Sequence, residues 1–345
     1  MGLKTGTCVV AALILAAGLG SYLMMRPTPG NAEPPPRALA DPAPAPAAAQ
    51  RPRDEFAAAR GPVPCDGDRA LRYLEDICKL GPRISGSEGM TKQQDLLVKH
   101  FEGLGAKVTR QRFTARQVSR REPVEMTNLI ISWHPDRTRR VLLCSHYDTR
   151  PIADQEDDRR QWTQPFVSAN DGGSGVALLM ELGHHVKDLK TAVGVDFVLF
   201  DGEEYIFNPS RMTGDKYFLG SEHFAGVYKA GKDQPKYVAA LLFDMIAGKD
   251  ARFPAEAHSW FHAAALVQDV WGVARELKVD NFVREMGPAV EDDHLALNRA
   301  GIPAVDIIDF NYPHWHRLSD TPANCSADSL EKVGRVVMTW LGRLR

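Results

Sequence analysis

Residues 195–204 read VDFVLFDGEE, a mostly apolar run that ends in three carboxylates. The Val, Leu and Phe residues predict a buried β-strand that ends at Phe200. Short apolar runs of the same kind, rich in Val, Ile and Leu, occur at 128–132, 141–145, 238–243 and 304–308. These five runs predict the buried strands of a sheet.

Amphipathic stretches separate the apolar runs and predict helices at 69–79, 91–104, 175–187, 216–228, 258–278 and 327–344. Strands that alternate with helices favour an α/β fold. The predicted architecture is a three-layer sandwich, in which a central, mostly parallel mixed sheet carries helices on both faces.

Ionisable side chains follow the predicted strands or precede a predicted helix. They are His146, Asp148, Asp171, Asp201, Glu203, Glu204, Asp244, Asp309 and His316. In open α/β sheets, ligands bind beyond the carboxyl ends of the strands. We therefore expect these side chains to lie along one edge of the sheet.

Each of these residues has an ordinary structural explanation when it is taken alone. A single Asp after a strand is typical of a helix cap or a turn, and paired glutamates are typical of a solvated turn. Their coincidence at one edge instead favours a single site. Two histidines with several carboxylates suit zinc, and a catalytic zinc needs only three protein ligands. One of the adjacent glutamates could bind the metal while its neighbour stays free as a general acid and base.

Other catalytic motifs are absent from the sequence. There is no HExxH, no GxSxG around Ser87 or Ser174, and no GxxxxGK[ST] phosphate loop. The formal net charge is -2 and no long basic run occurs, which argues against a nucleic-acid partner.

The first 64 residues differ in composition from the remainder. Lys4 precedes a mostly apolar stretch at 7–25, which is just long enough to cross a bilayer and lacks a clear cleavage site. Residues 1–26 are therefore predicted to be a signal-anchor or a cleaved signal peptide. We expect the chain to be exported, either anchored with its catalytic domain outside the cytoplasm or, if cleaved, secreted or periplasmic.

A Pro- and Ala-rich stretch at 27–64 predicts an extended linker, and 65–345 is predicted to be the catalytic domain. The five cysteines match no metal-binding spacing. Export would permit a disulfide between the nearest pair, Cys65 and Cys78, whereas Cys144 is predicted to be a buried free thiol.

Five segments resemble the zinc aminopeptidase superfamily, which includes the glutaminyl-peptide cyclotransferases. They read SHYDT at 145–149, SANDGGSGVALLMEL at 168–182, FDGEE at 200–204, FDMI at 243–246 and WHRLSDT at 315–321. GPRISGSEG at 81–89 fits the same superfamily. The resemblance implies a zinc exopeptidase-like fold from about Cys65 to the C-terminus.

Other segments resemble the cyclotransferase branch in particular. They read DMIAGKDARFP at 244–254, VEDDHLALNRAGIPAVDII at 290–308 and NYPHWH at 311–316. Two features depart from the animal cyclases. The stretch at 205–224, YIFNPSRMTGDKYFLGSEHF, lacks their tryptophan after the paired glutamates, and Cys144 has no evident disulfide partner.

The resemblance implies a metal site. Asp171, Glu204 and His316 would hold one zinc, which is the favoured number per chain. In two-zinc aminopeptidases of this superfamily, His146 and Asp244 would bind the second metal, with Asp171 as the bridge.

The resemblance also implies catalytic and substrate-binding residues. Glu203 would carry a proton, and Asp244 and Asp292 would form a hydrogen-bonded acid network beside it. The residues expected to bind substrate are Glu291, Tyr312 and Trp315.

The implied reaction is cyclisation of the N-terminal glutamine of a peptide or protein to pyroglutamate, with release of ammonia. The alternative is a zinc aminopeptidase that hydrolyses N-terminal residues. A further alternative is a non-catalytic, membrane-tethered binding domain, which would be expected to have lost metal ligands. The expected partners are peptide or protein N-termini and, through the N-terminal segment, a membrane.

Overall fold

The computed structural model describes residues 65–231 and 235–344. The predictions for 1–26 and 27–64 therefore lie outside the described residues. Within the described ranges, no helix is both long enough and apolar enough to cross a membrane.

Six strands form one mixed sheet, in the order β1-β2-β4-β3-β5-β8. The neighbours β4, β3, β5 and β8 are parallel, whereas β1 and β2 add an antiparallel margin. The strands β6 and β7 form a separate two-stranded sheet. The eight strands in the described part of the chain are β1 (Lys107–Ala115), β2 (Val124–Trp133), β3 (Arg139–His146), β4 (Gly194–Phe200), β5 (Lys236–Asp244), β6 (Phe253–Ala255), β7 (Phe282–Met286) and β8 (Ala304–Ile308).

Helices cover both faces of this sheet. They are α1 (Gly67–Cys78), α2 (Glu88–Gly103), α3 (Ser174–Val186), α4 (Leu219–Ala230), α5 (Ala257–Glu276), α6 (His294–Arg299) and α7 (Ala327–Arg343). The six predicted helices and five predicted strands are confirmed, and so is the α/β class with its mostly parallel mixed sheet. The sequence patterns did not predict α6, β1, β6 or β7.

Alternate residues of the strands point to opposite faces, which produces two separate cores. On β3, Val141 and Leu143 belong to the larger core, which also contains side chains of α1, α2, α3, α5 and α7. Leu142 and Cys144 belong to the smaller core, which α4 and α6 cover. Both faces of the strand are therefore buried, which explains its continuous apolar run.

The described cysteines Cys65, Cys78, Cys144 and Cys325 are all buried and free. The prediction of a buried free thiol at Cys144 is confirmed. No bond joins Cys65 to Cys78.

The four parallel strands give the sheet two distinct ends. Their last residues include His146 and Asp244, and the turn from Asp201 to Glu204 directly follows β4. We call this end the carboxyl edge. The amino edge is the opposite end, where β3 and β4 begin at Arg139 and Gly194.

Candidate active site

Four side chains at the carboxyl edge form what we call the metal-capable group: His146, Asp171, Glu204 and His316. All four are buried, with exposed fractions of 6% or less. His146, Asp171 and Glu204 each offer a ligand atom within 4.8 Å of the other two. His316 Nε2 lies 3.0 Å from Glu204 Oε2 and 3.5 Å from Asp171 Oδ2.

The geometry of this group fits a zinc ion. Two atoms bound to one tetrahedral zinc at about 2.0–2.1 Å lie about 3.3 Å apart, which is close to the measured separations. Asp171 Oδ2 is buried and accepts no hydrogen bond, so it retains the capacity to bind a cation. Imidazole nitrogen and carboxylate oxygen are both ligands that zinc takes.

The loop before α3 holds Asp171 in place. The backbone N–H groups of Asn170 and Asp171 donate to the two carboxylate oxygens of Asp320, at 2.9 and 3.1 Å. The next residue, Gly172, has φ of +70°, and a Cβ there would lie 2.4 Å from the carbonyl oxygen of Asp148. Only glycine therefore lets the loop approach the strand end this closely.

Asp148 fixes the turn that carries the paired glutamates. The N–H groups of Glu203 and Glu204 donate to its two oxygens, at 3.1 and 3.2 Å. Glu204 Oε1 accepts from the N–H of Arg150, which leaves its second oxygen facing His316. Glu203 instead approaches His146, with Oε2 3.8 Å from Nδ1, and its side chain is 14% exposed. The two adjacent carboxylates therefore have different surroundings.

A second pair of contacts extends the group along the edge. His146 Nε2 lies 3.1 Å from Asp171 Oδ1 and 3.3 Å from Asp244 Oδ1. Burial alone would lower the pKa of His146, but hydrogen bonding to Asp148, Asp171 and Asp244 outweighs it and raises the pKa well above its usual range. Asp171 thus lies between the two histidines, with one oxygen toward each.

Several carboxyl groups beside Glu203 share the same buried environment. Burial, and then repulsion from Glu204 and Asp292, raises the pKa of Glu203 well above its usual range. Burial and the charge of Asp244 raise the pKa of Asp292 to about 7. Burial also raises the pKa of Asp244. These acids hold protons more readily than exposed carboxyls do, which is a property of groups that transfer protons.

The three residues expected to bind substrate have different contacts and different exposure. The Trp315 ring stacks on His316, with centroids 4.1 Å apart, so it lies beside the metal-capable group. Tyr312 is only 6% exposed, and its hydroxyl donates to Asp320 at 2.9 Å. Glu291 is exposed and directly precedes the buried Asp292.

Two strand-end carboxylates bond only to protein groups outside the metal-capable group. Asp201 accepts from the Ser85 hydroxyl at 2.7 Å and from the Thr127 N–H at 2.8 Å. Asp309 accepts from the N–H of Asn311 at 3.2 Å, as a turn residue does. The expectation that every strand-end acid faces one site is therefore too broad.

Three non-glycine residues near the site have a left-handed backbone conformation. Ser168, Met245 and His316 have φ values of 46°, 48° and 53°, in the left-handed region that non-glycine residues rarely adopt. Ser168 precedes Asp171 by three residues, and Met245 directly follows Asp244. Such strain persists where surrounding contacts determine the backbone, as they commonly do at functional sites.

The sequence patterns assigned no role to four residues that shape the site. Asp148 and Asp320 lie within the motifs at 145–149 and 315–321, but no local pattern indicates which groups they bind. Arg150 and Asp154 lie in an irregular segment, where neither strand nor helix periodicity provides a signal.

The chain is similar to known proteins in both sequence and structure. The model of the family described as "Peptidase family M28" matches residues 128–341. A glutaminyl-peptide cyclotransferase-like protein of Bos taurus is 24% identical over 244 residues, which are 64% of this chain and 61% of that protein. The match thus spans about three fifths of this relative's length.

Solved structures match over most of this chain. A glutaminyl cyclase of Fimbriiglobus ruber has a TM-score of 0.81 and is 52% identical, covering 83% of this chain and 98% of its own. A structure described as a leucine aminopeptidase precursor, from Bacteroides thetaiotaomicron, has a TM-score of 0.75 and is 28% identical, covering 83% of this chain and 99% of its own.

Proposed function

The chain belongs to peptidase family M28, and from that premise we propose that it catalyses zinc-dependent cyclisation of N-terminal glutamine in peptides or proteins. The products would be a pyroglutamyl peptide and ammonia. The glutamine supplies both reacting groups, because its α-amine attacks the carbonyl carbon of its own side-chain amide. The new N–C bond closes the ring, and the former amide C–N bond breaks.

The metal-capable group would hold the zinc through Asp171, Glu204 and His316, with one ion per chain. Zinc would act as a Lewis acid at the side-chain carbonyl of the glutamine. Asp148 and Asp320 would orient the turn and the loop that carry these ligands.

Glu203 would move the proton that the reaction must transfer. Its carboxylate would accept a proton from the attacking α-amine and return it to the departing nitrogen, which leaves as ammonia. Asp244 and Asp292 support this role, because buried acids nearby favour protonation of Glu203 between the two steps. Attack within one molecule needs no activated water.

Trp315 would form one wall of the glutamine pocket, since its ring lies against His316. Phe310, which is 38% exposed and 5.1 Å from Trp315 between ring centroids, extends the same aromatic surface outward. Glu291 would contact the substrate at the exposed rim, and Tyr312 would act by holding Asp320.

The observation that carries the choice of cyclisation is the likeness to the Fimbriiglobus ruber glutaminyl cyclase, at 52% identity over 98% of that chain. The geometry of the site supports a proton-transfer reaction beside a metal. The likeness to this glutaminyl cyclase favours cyclisation over hydrolysis of the first peptide bond.

One observation favours a second candidate, a zinc aminopeptidase. Asp171 directs one oxygen toward His146 and the other toward His316, and Asp244 lies 3.3 Å from His146. A bridging carboxylate with a histidine on each side is suited to two metal ions. In that reaction Glu203 would activate a water against the first peptide bond.

The test uses the purified full-length chain with zinc and two substrates, a Gln-initiated peptide and a leucyl chromogenic amide. Cyclisation predicts ammonia release from the first without cleavage of any peptide bond. A peptide with acetylated N-terminal glutamine is the control, because its α-nitrogen is no longer a free amine. Hydrolysis of the leucyl amide without cyclisation would overturn the proposal, and about two zinc ions per chain would favour the peptidase.

We also propose that the chain acts outside the cytoplasm, on the basis of the apolar stretch at 7–25. The measurement is N-terminal sequencing of the protein from fractionated cells. An uncleaved N-terminus in the membrane fraction supports an anchor, and a soluble cytoplasmic chain contradicts export.

A further inference from the structure

Residues 150–156 form a segment that reaches the metal-capable group at two points. The N–H of Arg150 donates to Glu204 Oε1 at 2.8 Å. Four residues later, Asp154 Oδ1 lies 2.9 Å from His316 Nδ1. One short segment therefore touches a carboxylate and an imidazole of the same site.

The side chains of Arg150 and Asp154 join these two contacts. Arg150 donates from Nε to Asp154 Oδ1 and from Nη2 to Asp154 Oδ2, both at 3.0 Å. Its Nη1 lies 3.8 Å from Glu204 Oε2, and all three side chains are at most 2% exposed. A planar guanidinium that holds both oxygens prevents the Asp154 carboxylate from turning away.

This arrangement determines how His316 is presented. Asp154 Oδ1 is 2.9 Å from Nδ1 but is not aligned with it as a hydrogen bond. A carboxylate this close favours the imidazole proton on Nδ1, which leaves the lone pair of Nε2 for a metal. The backbone is held as well, because the carbonyl of His316 accepts from the N–H of Gln155 at 3.3 Å. These contacts act on a residue whose φ of 53° is rare for a side chain other than glycine.

We propose that Arg150 and Asp154 are a positioning pair, which sets the affinity of the site for zinc by fixing the orientation of Glu204 and His316. Neither residue would touch the metal or the substrate. The inference rests on the zinc-dependent function proposed above.

The experiment measures the zinc dissociation constant of the full-length chain by competition with a chelating dye, after removal of bound metal. Asp154→Asn keeps the shape of the side chain and removes its charge. Arg150→Lys keeps the charge and removes the planar fork. Each change is expected to weaken zinc binding by about 10- to 100-fold. The double variant should bind zinc only slightly more weakly than whichever single variant has the lower zinc affinity, because the two residues act as one unit.

The chain offers two matched controls. Asp196→Asn makes the same substitution in a buried Arg–Asp pair at the amino edge, where Arg140 is the partner. Arg160→Lys alters an exposed pair with Asp158 at 2.8 Å. Both controls should leave the zinc dissociation constant unchanged. Thermal unfolding of the metal-free proteins separates weaker metal binding from loss of the fold.

The outcomes distinguish this inference from the function on which it rests. A wild-type chain that binds zinc, with dissociation constants of Asp154→Asn and Arg150→Lys within twofold of it, would overturn the positioning pair alone. A wild-type chain that binds no zinc would overturn both. If Asp154→Asn fails to fold, unchanged affinity in Arg150→Lys is sufficient to reject the pair.

Discussion

The two ends of the central sheet each contain a buried arginine–aspartate pair. At the amino edge, Arg140 donates to Asp196 from Nε at 2.7 Å and from Nη2 at 2.6 Å. At the carboxyl edge, Arg150 donates to Asp154 at 3.0 Å through the same two nitrogens. The chemistry of the two pairs is the same, but their surroundings differ.

At the amino edge the groups of the arginine–aspartate pair are all hydrogen-bonded to protein atoms. Arg140 also donates to the carbonyls of Trp133 and His134, and the Tyr237 hydroxyl donates to Asp196 at 2.7 Å. At the carboxyl edge, Asp171 Oδ2 and Asp292 Oδ2 are buried and accept no hydrogen bond. Leaving such a group without a partner costs about 1–3 kcal/mol, so the carboxyl edge is organised for a ligand rather than for maximal stability.

The largest effect is expected from Glu203→Gln at the carboxyl edge. The rate of ammonia release should fall by about 100- to 10,000-fold, because an amide cannot transfer the proton. Zinc content and the unfolding midpoint should stay close to those of the wild type. Initial rates, metal analysis and thermal unfolding measure these three quantities, with Glu222→Gln on the exposed surface of α4 as the control. Unchanged turnover would remove Glu203 from the mechanism.

Asp196→Asn should have the opposite effect to Glu203→Gln, because it should lower stability and leave activity unchanged. The free energy of unfolding should fall by about 3–5 kcal/mol, because Arg140 would remain buried beside a neutral partner. Urea unfolding measures this loss. At temperatures where the variant is folded, kcat/KM should equal that of the wild type. A stable variant with reduced kcat/KM would show that the two edges are coupled.

Glu181 on α3 forms an ion pair with Arg69 on α1, away from the carboxyl edge. This pair tests how the stability that a buried ion pair contributes depends on pH. Burial would raise the pKa of Glu181, but hydrogen bonds from His185 and Arg69 outweigh it and lower the pKa to about 2. A lowered pKa in the folded state stabilises the fold above the ordinary value of 4.5, and this contribution is lost as the pH falls toward 2.

Glu181→Gln should therefore lower the free energy of unfolding by about 2 kcal/mol at pH 7. The difference from the wild type should shrink as the pH falls from 4.5 toward 2. Denaturant unfolding at pH 7, 4 and 3 measures it. A difference that is constant across this range would contradict an ionised Glu181 as its source.

The smallest effect is expected from Tyr217→Phe at the border of the carboxyl edge. Arg150 Nη2 lies 3.2 Å from the Tyr217 hydroxyl, but both of its bonds to Asp154 would remain. The free energy of unfolding should fall by about 0.5–1.5 kcal/mol, and zinc affinity should stay within about threefold. A loss of zinc affinity equal to that of Asp154→Asn would show that Tyr217, rather than Asp154, determines the position of Arg150.

The buried part of the fold could be predicted because its signals are local. Continuous apolar runs indicate strands that are covered on both faces, and the five predicted runs all lie in the main sheet. The strand β1 was missed because it lies at the margin of the sheet and reads KVTRQRFTA, with many charged residues on its exposed face. The helix α6 was missed because its six residues are too few to show a period.

The sequence by itself determined the family resemblance, the α/β fold and the edge at which ionisable residues collect, since parallel strands bring their carboxyl ends together. Only the tertiary structure decided which acids face the metal-capable group and which, like Asp201 and Asp309, bond elsewhere. It alone also brought Asp154 against His316, which is far away along the chain. The physical reason is that periodicity specifies the direction of a side chain relative to its own strand or helix. The partner of a buried charge depends on how distant segments pack.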